Sequence, residues 1–480
     1  MFVGRQNELN ELQEGYDSGT FQCVVLYGRR RIGKTYLISR FIEDKPAIFF
    51  TAQEVNDKLN LSHFTEKVLE FFKMGDSGIE FRDWDSAFKF LADKAKEQQF
   101  VLAFDEFPYA CNANKGLRSI LQNAIDHQFK DSKLFLILCG SHVAFMERSV
   151  LGSKSPLFGR RTMQLCLTGF DYLDAAQMLG GVSDEDKIRL YACVGGTPHY
   201  LAQVNPKLSF EENIKRLFFR SSGYLYSEPF MLLQQELREP AVYNSIISSV
   251  AAGATRLNDI VLKTGEEKTK ASRYIKVLVD MKILERITPF GENESQSRKS
   301  IYQVSDFCYR FWYRFVFNNQ AEIDAGIGGL LADKEVFGEA LSSFIGKPPF
   351  EQICLQYMMR LNREQKLPFL ATSFGRWWGN DSVRREETDL DLVMGDKAEK
   401  KLIVGECKWR NEAATKADIE NWMGKDNLLP GYKDRYYVYF SKGGYTEGAQ
   451  ELAKQNVRLK LLKVEGLFQM GEKPLFEKYT

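Results

Sequence analysis

The sequence has no C-x-x-C pair, no apolar run of transmembrane length and almost no net charge. Each absence narrows the field. The eight cysteines stand singly, several inside strand-like runs such as "QCVVLY" and "FLILCG", so they read as reduced core thiols. Charged residues interrupt every apolar run, and "MFVGRQNEL" lacks the basic-then-apolar order of a signal segment, so a cytoplasmic protein with no membrane partner is expected. Lys and Arg total 65 against 64 Asp and Glu, a net charge of +1 that neither predicts nor excludes nucleic acid, because a local basic face can hide in a balanced total. What is present is a globular composition, 44% apolar and 13% aromatic with 36 Phe and 21 Tyr. A chain of 480 residues exceeds one hydrophobic core and implies two to four domains, a count that rests on the size at which single cores stop growing.

Residues 22–35, "QCVVLYGRRRIGKT", set an apolar strand before a glycine-bounded loop and a helix starting near Gly33. This is G-x-x-x-x-G-K-[ST] in the strand–loop–helix context it requires. Gly28 and Gly33 let the backbone N–H groups curl around a phosphate at a helix N-terminus. Lys34 is expected to reach the β/γ-phosphates and Thr35 to ligate magnesium. Downstream, "QFVLAFDE" at 99–106 is an apolar strand ending in two acids, with Asp105 in the metal shell and Glu106 activating water. A third strand, "KLFLILCGS", ends in Ser141. A mostly parallel sheet with its ligands at the C-terminal edge accounts for all three positions.

The segments "FVGRQNELNEL", "GRRRIGKTYLISRF", "AFDEFPY", "CGSHVAFME", "SPLFGRRT" and "GGTPHYL" together resemble the archaeal and bacterial AAA-related ATPases of the STAND type, whose ATPase domain is related to the origin-recognition ATPases. The resemblance covers residues 1 to about 220. It implies ATP and Mg2+ as cofactors, with the base against Phe2, Val3 and Arg5 and with Arg30, Arg31, Ile32 and Tyr36 in the nucleotide-binding set. It also implies that Ser141 is a polar sensor and that Pro198 belongs to a helical lid near adenine. Arg160 matches an arginine near the γ-phosphate, acting in its own subunit or as a finger from a neighbour in a homo-oligomer. The basic run at Arg29, Arg30 and Arg31 is either a solvated loop or a contact to phosphates or a partner domain.

Residues 241–286 read as three short helices, with Ile246, Ile247, Val250, Leu257 and Ile260 facing inward and Tyr274, Val277 and Leu278 buried on the third. A two-stranded flap follows, ending at "SIYQVSD", which is the order of a winged helix-turn-helix. Lys268, Lys270, Arg273 and Lys276 on the outer face and Arg298 and Lys299 at the flap tip suit phosphate contacts, while Glu266, Glu267 and Glu285 dilute them. DNA and a protein partner therefore both remain open. The aromatic "DFCYRFWYRFVF" has the spacing of a helix buried on most of its surface.

The last region reads as one helix, "GEALSSFIGKPPFEQICLQYMMR", carrying Glu351, then strands with a Gly-Asp turn between them. Period-two alternation puts Asp391 with Val393 on one side and Glu406 with Lys408 on one side of "KLIVGECKW". Two converging carboxylates can bind magnesium, and a lysine beside them can orient water and offset phosphodiester charge. The pattern D then E-x-K resembles the PD-(D/E)xK nuclease superfamily, with Glu351 where many members have a helical acid. "FEQIC", "GRWWG", "LDLV" and "GECKW" are also similar to the domain of unknown function that follows this ATPase in family members.

The expected architecture is multidomain α/β: a P-loop parallel-sheet ATPase core (1–170), a helical lid (171–235), a winged helix-turn-helix with the aromatic helix (236–325) and a restriction-endonuclease-like α/β domain (326–480). The expected function is magnesium-dependent ATP hydrolysis coupled to DNA binding or cleavage. The alternative is an ATP-driven signalling or assembly switch whose winged helix and inactive nuclease-like domain bind protein partners.

Overall fold

The computed structural model describes residues 2–75, 78–237, 239–425, 428–469, 471 and 473–476. The chain divides into two units, one running through Phe170 and including Thr197–His199, the other formed by Asp171–Gly196 and the residues from Tyr200 onward.

The first unit is built on five strands, β1 (Gln22–Tyr27), β2 (Ala47–Thr51), β3 (Phe100–Asp105), β4 (Leu134–Gly140) and β5 (Met163–Cys166), in the order β2-β3-β4-β1-β5. Every neighbouring pair is parallel. β3 and β4 are buried along their whole length, which is why they read as unbroken apolar runs rather than alternating ones. One face carries an aromatic cluster in which Phe64 meets Phe50, Trp84 and Phe104 with ring centroids 5.1, 5.1 and 6.0 Å away. The other face is covered by Leu12, Leu37, Ile38 and Phe41 from helices Gln6–Asp17 and Lys34–Ile42.

The second unit contains two sheets. Helices Pro240–Ala251, Leu257–Thr264 and Lys268–Asp280 precede the antiparallel pair β6 (Leu284–Ile287) and β7 (Ile301–Val304). Tyr274 and Leu278 are buried as their spacing implies, Val277 is half-buried, and Ala271 and Ile275 complete the inward face. The aromatic helix Phe307–Phe315 is buried almost throughout: Trp312 Nε1 donates to the Tyr226 carbonyl at 2.6 Å, and the Phe311 ring lies 4.8 Å from that of Phe218. The larger sheet is mixed, with β8 (Ser373–Asp381), β9 (Glu386–Asp396), β10 (Lys401–Lys408), β11 (Asp434–Ser441) and β12 (Leu459–Lys463) in the order β12-β11-β10-β9-β8. The pairs β8–β9 and β9–β10 are antiparallel, whereas β10–β11 and β11–β12 are parallel.

Three expectations change here. The segment around Glu351 is not one helix: Glu339–Ile345 and Glu351–Arg363 are separated at 346–350, where Lys347 is extended (φ −141°, ψ 122°) and Pro348 and Pro349 lack the N–H groups a continuous helix needs. Gly395 and Asp396 do not form the turn. They pair with Leu402 and Lys401, and the chain reverses over 397–400. The alternation of β9 is also interrupted. Gly375 pairs with Val393 and Trp377 with Leu390, so Asp391 and Leu392 together face Arg376 alone in a bulge. Leu390 and Val393, three residues apart, consequently share one apolar cluster with Val404 and Tyr439.

Phe64→Ala should destabilise the first unit by about 3–5 kcal/mol, the usual cost of an emptied aromatic site. The midpoint of its urea transition, followed by far-UV circular dichroism, measures this.

Candidate functional site

In the first unit, the sheet edge gathers the expected residues around the loop from Gly28 to Lys34. Gly28 has φ 156°, and a Cβ there would lie 2.4 Å from the Leu167 carbonyl oxygen, so the position admits only glycine without moving backbone. Gly33 (φ 92°) caps helix Lys34–Ile42, and Pro198 Cγ would lie 4.0 Å from a Cβ built on it. Lys34 is buried and donates to the carbonyls of Gly28 and Arg29, both at 2.9 Å; burial lowers its pKa. Thr35 Oγ1 donates to Asp105 Oδ2 at 3.0 Å, joining the loop helix to the end of β3.

Glu106 follows in the left-handed region (φ 49°), which ends β3 and turns its carboxylate toward β4. Ser141 Oγ donates to Glu106 Oε1 at 2.8 Å. Ile32 is buried in the core beneath the loop. Arg30 donates to the Tyr109 hydroxyl at 2.8 Å, a partner the motif does not announce. Arg31 has φ 67° and acts, with burial, to lower the pKa of His199, which sits beside Pro198.

The opening segment reaches the same loop. Arg5 donates to the Ile32 carbonyl at 3.3 Å and to the Thr168 carbonyl, and its guanidinium lies 4.9 Å from the Phe170 ring centre. Val3 is half-buried nearby in sequence, and the Phe2 ring stacks on Tyr36 at 5.6 Å with an 18° interplanar angle. Tyr36 keeps 57% of its surface exposed, so the stack has an open side.

Arg160 is arranged differently. Its Nε and Nη2 grip both oxygens of Asp126 at 2.8 and 2.7 Å, and Nη1 donates to the carbonyls of Pro156 and Phe158, each at 3.0 Å. The guanidinium is thus held to Asp126 rather than to the loop from Gly28 to Lys34. Asp126 lies 34 positions away, so sequence spacing offered no signal for it.

The second unit has a polar pocket of about 360 Å³ lined by Lys347, Glu351, Asp389, Asp391, Cys407 and Lys408, among others. Asp391 Oδ2 accepts from the Cys407 backbone N–H at 3.0 Å. Glu351 is buried, and that burial with the nearby Asp391 charge raises its pKa to about 8. Glu406 is raised to about 7 by the same two causes, and its carboxylate pairs with Lys408, whose own pKa rises. The Asp391 charge thus acts on both Glu351 and Glu406. Among the described residues, no three His, Cys, Asp or Glu side chains converge as a metal-ligating group. The acids are paired with cations: Lys347 Nζ lies 2.5 Å from Asp389, and Arg376 Nε 3.1 Å from Glu351. Oxygen donors of this kind still suit magnesium, which needs one or two carboxylates and keeps several waters. Lys347, Arg376 and Asp389 were missed from the sequence. Arg376 reaches the pocket beside the bulge, and Lys347 through the break between helices.

Residues 2–204 match a family described as an ATPase domain predominantly from Archaea, and residues 312–420 one described as archaeal and bacterial proteins of unknown function. "Uncharacterized protein MJECL04" of Methanocaldococcus jannaschii is 32% identical over 417 residues, 86% of this chain and 88% of that protein. The chain belongs to this family of ATPases. "Uncharacterized ATP-binding protein MJ0423" of the same organism is 47% identical over 45 residues, 9% of this chain and 76% of that protein. Among solved structures, the Walker-type ATPase PABY2304 of Pyrococcus abyssi superposes with a TM-score of 0.51 at 20% identity, over 65% of this chain and 96% of that one, a likeness of fold. The ATPase is thus an ATP-hydrolysing enzyme with a Walker-type P-loop domain and a separate mixed-sheet C-terminal α/β region. No helix among its described residues is long and apolar enough to cross a membrane.

Gly28→Ala in this ATPase should weaken ATP binding by about tenfold or more, because the added methyl meets backbone rather than a movable side chain. Titration with a fluorescent ATP analogue tests it.

Proposed function

We propose that the ATPase couples magnesium-dependent ATP hydrolysis to action on DNA by its second unit. In the first unit, the backbone of Gly28–Gly33 and Lys34 would hold the phosphates, with Arg30, Arg31 and Ile32 shaping the loop. Thr35 and Asp105 would hold magnesium, Glu106 would orient the attacking water, and Ser141 would keep that carboxylate in place. Bound magnesium offsets charge on the transferring phosphoryl group. Phe2, Val3, Arg5, Tyr36 and Pro198 would flank the base, and the open Phe2–Tyr36 stack suits a planar ring.

We read residues 171–235 as a helical lid, 236–325 as a winged helix-turn-helix and 326–480 as a PD-(D/E)xK-like domain. The observation that carries the DNA reading is the pocket that Glu351, Asp391 and Lys408 line from one helix and two strands, with Glu406 paired to Lys408. A carboxylate pair able to take a divalent cation, beside a lysine, suits phosphodiester chemistry. On the third helix of the winged module, Lys268, Arg273 and Lys276 are exposed, as phosphate contacts require. The alternative, a protein-binding switch, draws support from the ion pairs Glu351–Arg376, Glu406–Lys408 and Lys270–Glu266, which leave fewer charges for DNA. A cytoplasmic setting accompanies either reading.

Lys34→Ala should abolish ATP binding, whereas Glu106→Gln should retain it and slow phosphate release by about 10²–10⁴-fold, the usual worth of a positioned base. Wild-type release no faster than that of Glu106→Gln, with DNA present, would refute the assignment.

If Arg160 leaves Asp126 to complete a neighbour's ATP site, ATP with magnesium should drive Glu106→Gln protein into a homo-oligomer by light scattering. A monomer throughout would confine Arg160 to its own subunit.

For the second unit, wild-type and Asp391→Ala proteins are incubated with ATP, magnesium or manganese, and single-stranded, duplex and branched DNA. Cleavage by the wild type alone is expected, with ATP hydrolysis unchanged in both. Equal cleavage by both would assign the activity elsewhere, and cleavage by neither would favour the protein-binding switch.

A further inference from the structure

The carboxylate pocket already contains a cation. Lys347 Nζ lies 2.5 Å from Asp389 Oδ2, 3.5 Å from Glu351 Oε1 and 4.0 Å from Asp391 Oδ1, so one ammonium serves three acids. Its backbone is anchored, because Arg310 Nη2 donates to the Lys347 carbonyl at 2.8 Å and two prolines follow. Its side chain is held only through the ammonium: 53% of that surface is exposed, against 15% for Arg376, the other cation of the cluster.

A second observation shows unmet demand at the same point. Glu351 is only 3% exposed, yet its Oε2 makes no hydrogen bond, and Arg376 Nε, 3.1 Å away, pairs with it by charge without hydrogen-bonding geometry. A buried carboxylate oxygen in that condition is costly and attracts a cation or a donor. Oxygen ligands from Glu351 and Asp391 are hard donors of the type a hydrated divalent ion uses.

We propose that Lys347 is the built-in counter-ion of this pocket, that it gives up its place to a divalent cation, and that its released ammonium then contacts a phosphate of a nucleic-acid strand. This rests on the DNA reading of the pocket. Lys347 and Arg376 already share Glu351 and Asp389, and a divalent ion would add two further positive charges at the same acids, so its binding favours an outward swing of the more exposed of the two cations. Once outward, Lys347 remains tethered by its backbone at the pocket mouth, one side-chain length from the acids, where a phosphodiester must approach. Lys347 is then a substrate-contacting residue in addition to Lys408.

The test uses the full chain without nucleotide and measures Mn2+ binding from the electron paramagnetic resonance signal of the free ion, for wild type, Lys347→Met, Lys347→Arg and Asp391→Asn, with thermal melting to verify folding. Lys347→Met should bind Mn2+ about tenfold or more tightly than wild type, as expected when a competing charge is removed. Lys347→Arg should not show that gain, and adding Asp391→Asn to Lys347→Met should abolish it. With Ca2+ present, Lys347→Met should also bind a fluorescent single-stranded oligonucleotide less tightly than wild type. Equal or weaker Mn2+ binding by folded Lys347→Met overturns the exchange and leaves the pocket's metal reading standing. No Asp391-dependent Mn2+ binding in either protein overturns both. Unchanged oligonucleotide affinity overturns the phosphate contact.

Discussion

Thr35 Oγ1 donating to Asp105 Oδ2 ties the helix after the phosphate loop to the end of a fully buried strand, and this single matching of buried polar groups sets the geometry of the first unit's edge. A carboxylate at the end of β3 cannot sit in such surroundings without partners, and it obtains them from Thr35 and from the Glu106 backbone N–H at 3.0 Å. The second of these bonds accompanies the left-handed turn at Glu106, which in turn brings that carboxylate to Ser141 at the end of β4. Parallel strands supply the rest, since β1, β3 and β4 deliver their C-terminal residues to one edge.

The same constraint is answered differently in the second unit. There the acids are paired with cations: Lys408 with Glu406, Arg376 with Glu351, and Lys347 with Asp389. Removing one partner from such a group leaves an uncompensated charge, so the pocket behaves as one electrostatic body rather than as independent residues. The aromatic helix supports it at a distance. Trp312 and Phe311 fix Phe307–Phe315 in the core, and Arg310 from the same helix holds the carbonyls of Phe344, just before the helix break, and of Lys347, within it. Packing of an apolar helix thereby positions a charged side chain at a polar pocket.

The sequence by itself determined the phosphate loop, the parallel sheet and the burial of the aromatic helix. Gly28, Gly33, Lys34 and Thr35 are contiguous, so their geometry follows from local backbone rules, and "VLAFD" and "LFLILCG" are apolar without interruption because both faces of those strands are covered. The neighbourhood of Asp391, Glu406 and Lys408 was likewise legible, since a short reversal joins their strands. Only the tertiary structure decided which charges meet across longer separations. Asp126 neutralises Arg160 from 34 positions away, Lys347 enters the pocket because two prolines break a helix, and Arg376 and Asp391 are set by a bulge that shifts the period-two count. Local periodicity carries no information about such partners: a bulge costs one residue of register, leaves the composition unchanged, and redirects a carboxylate that alternation alone would have placed beside Val393.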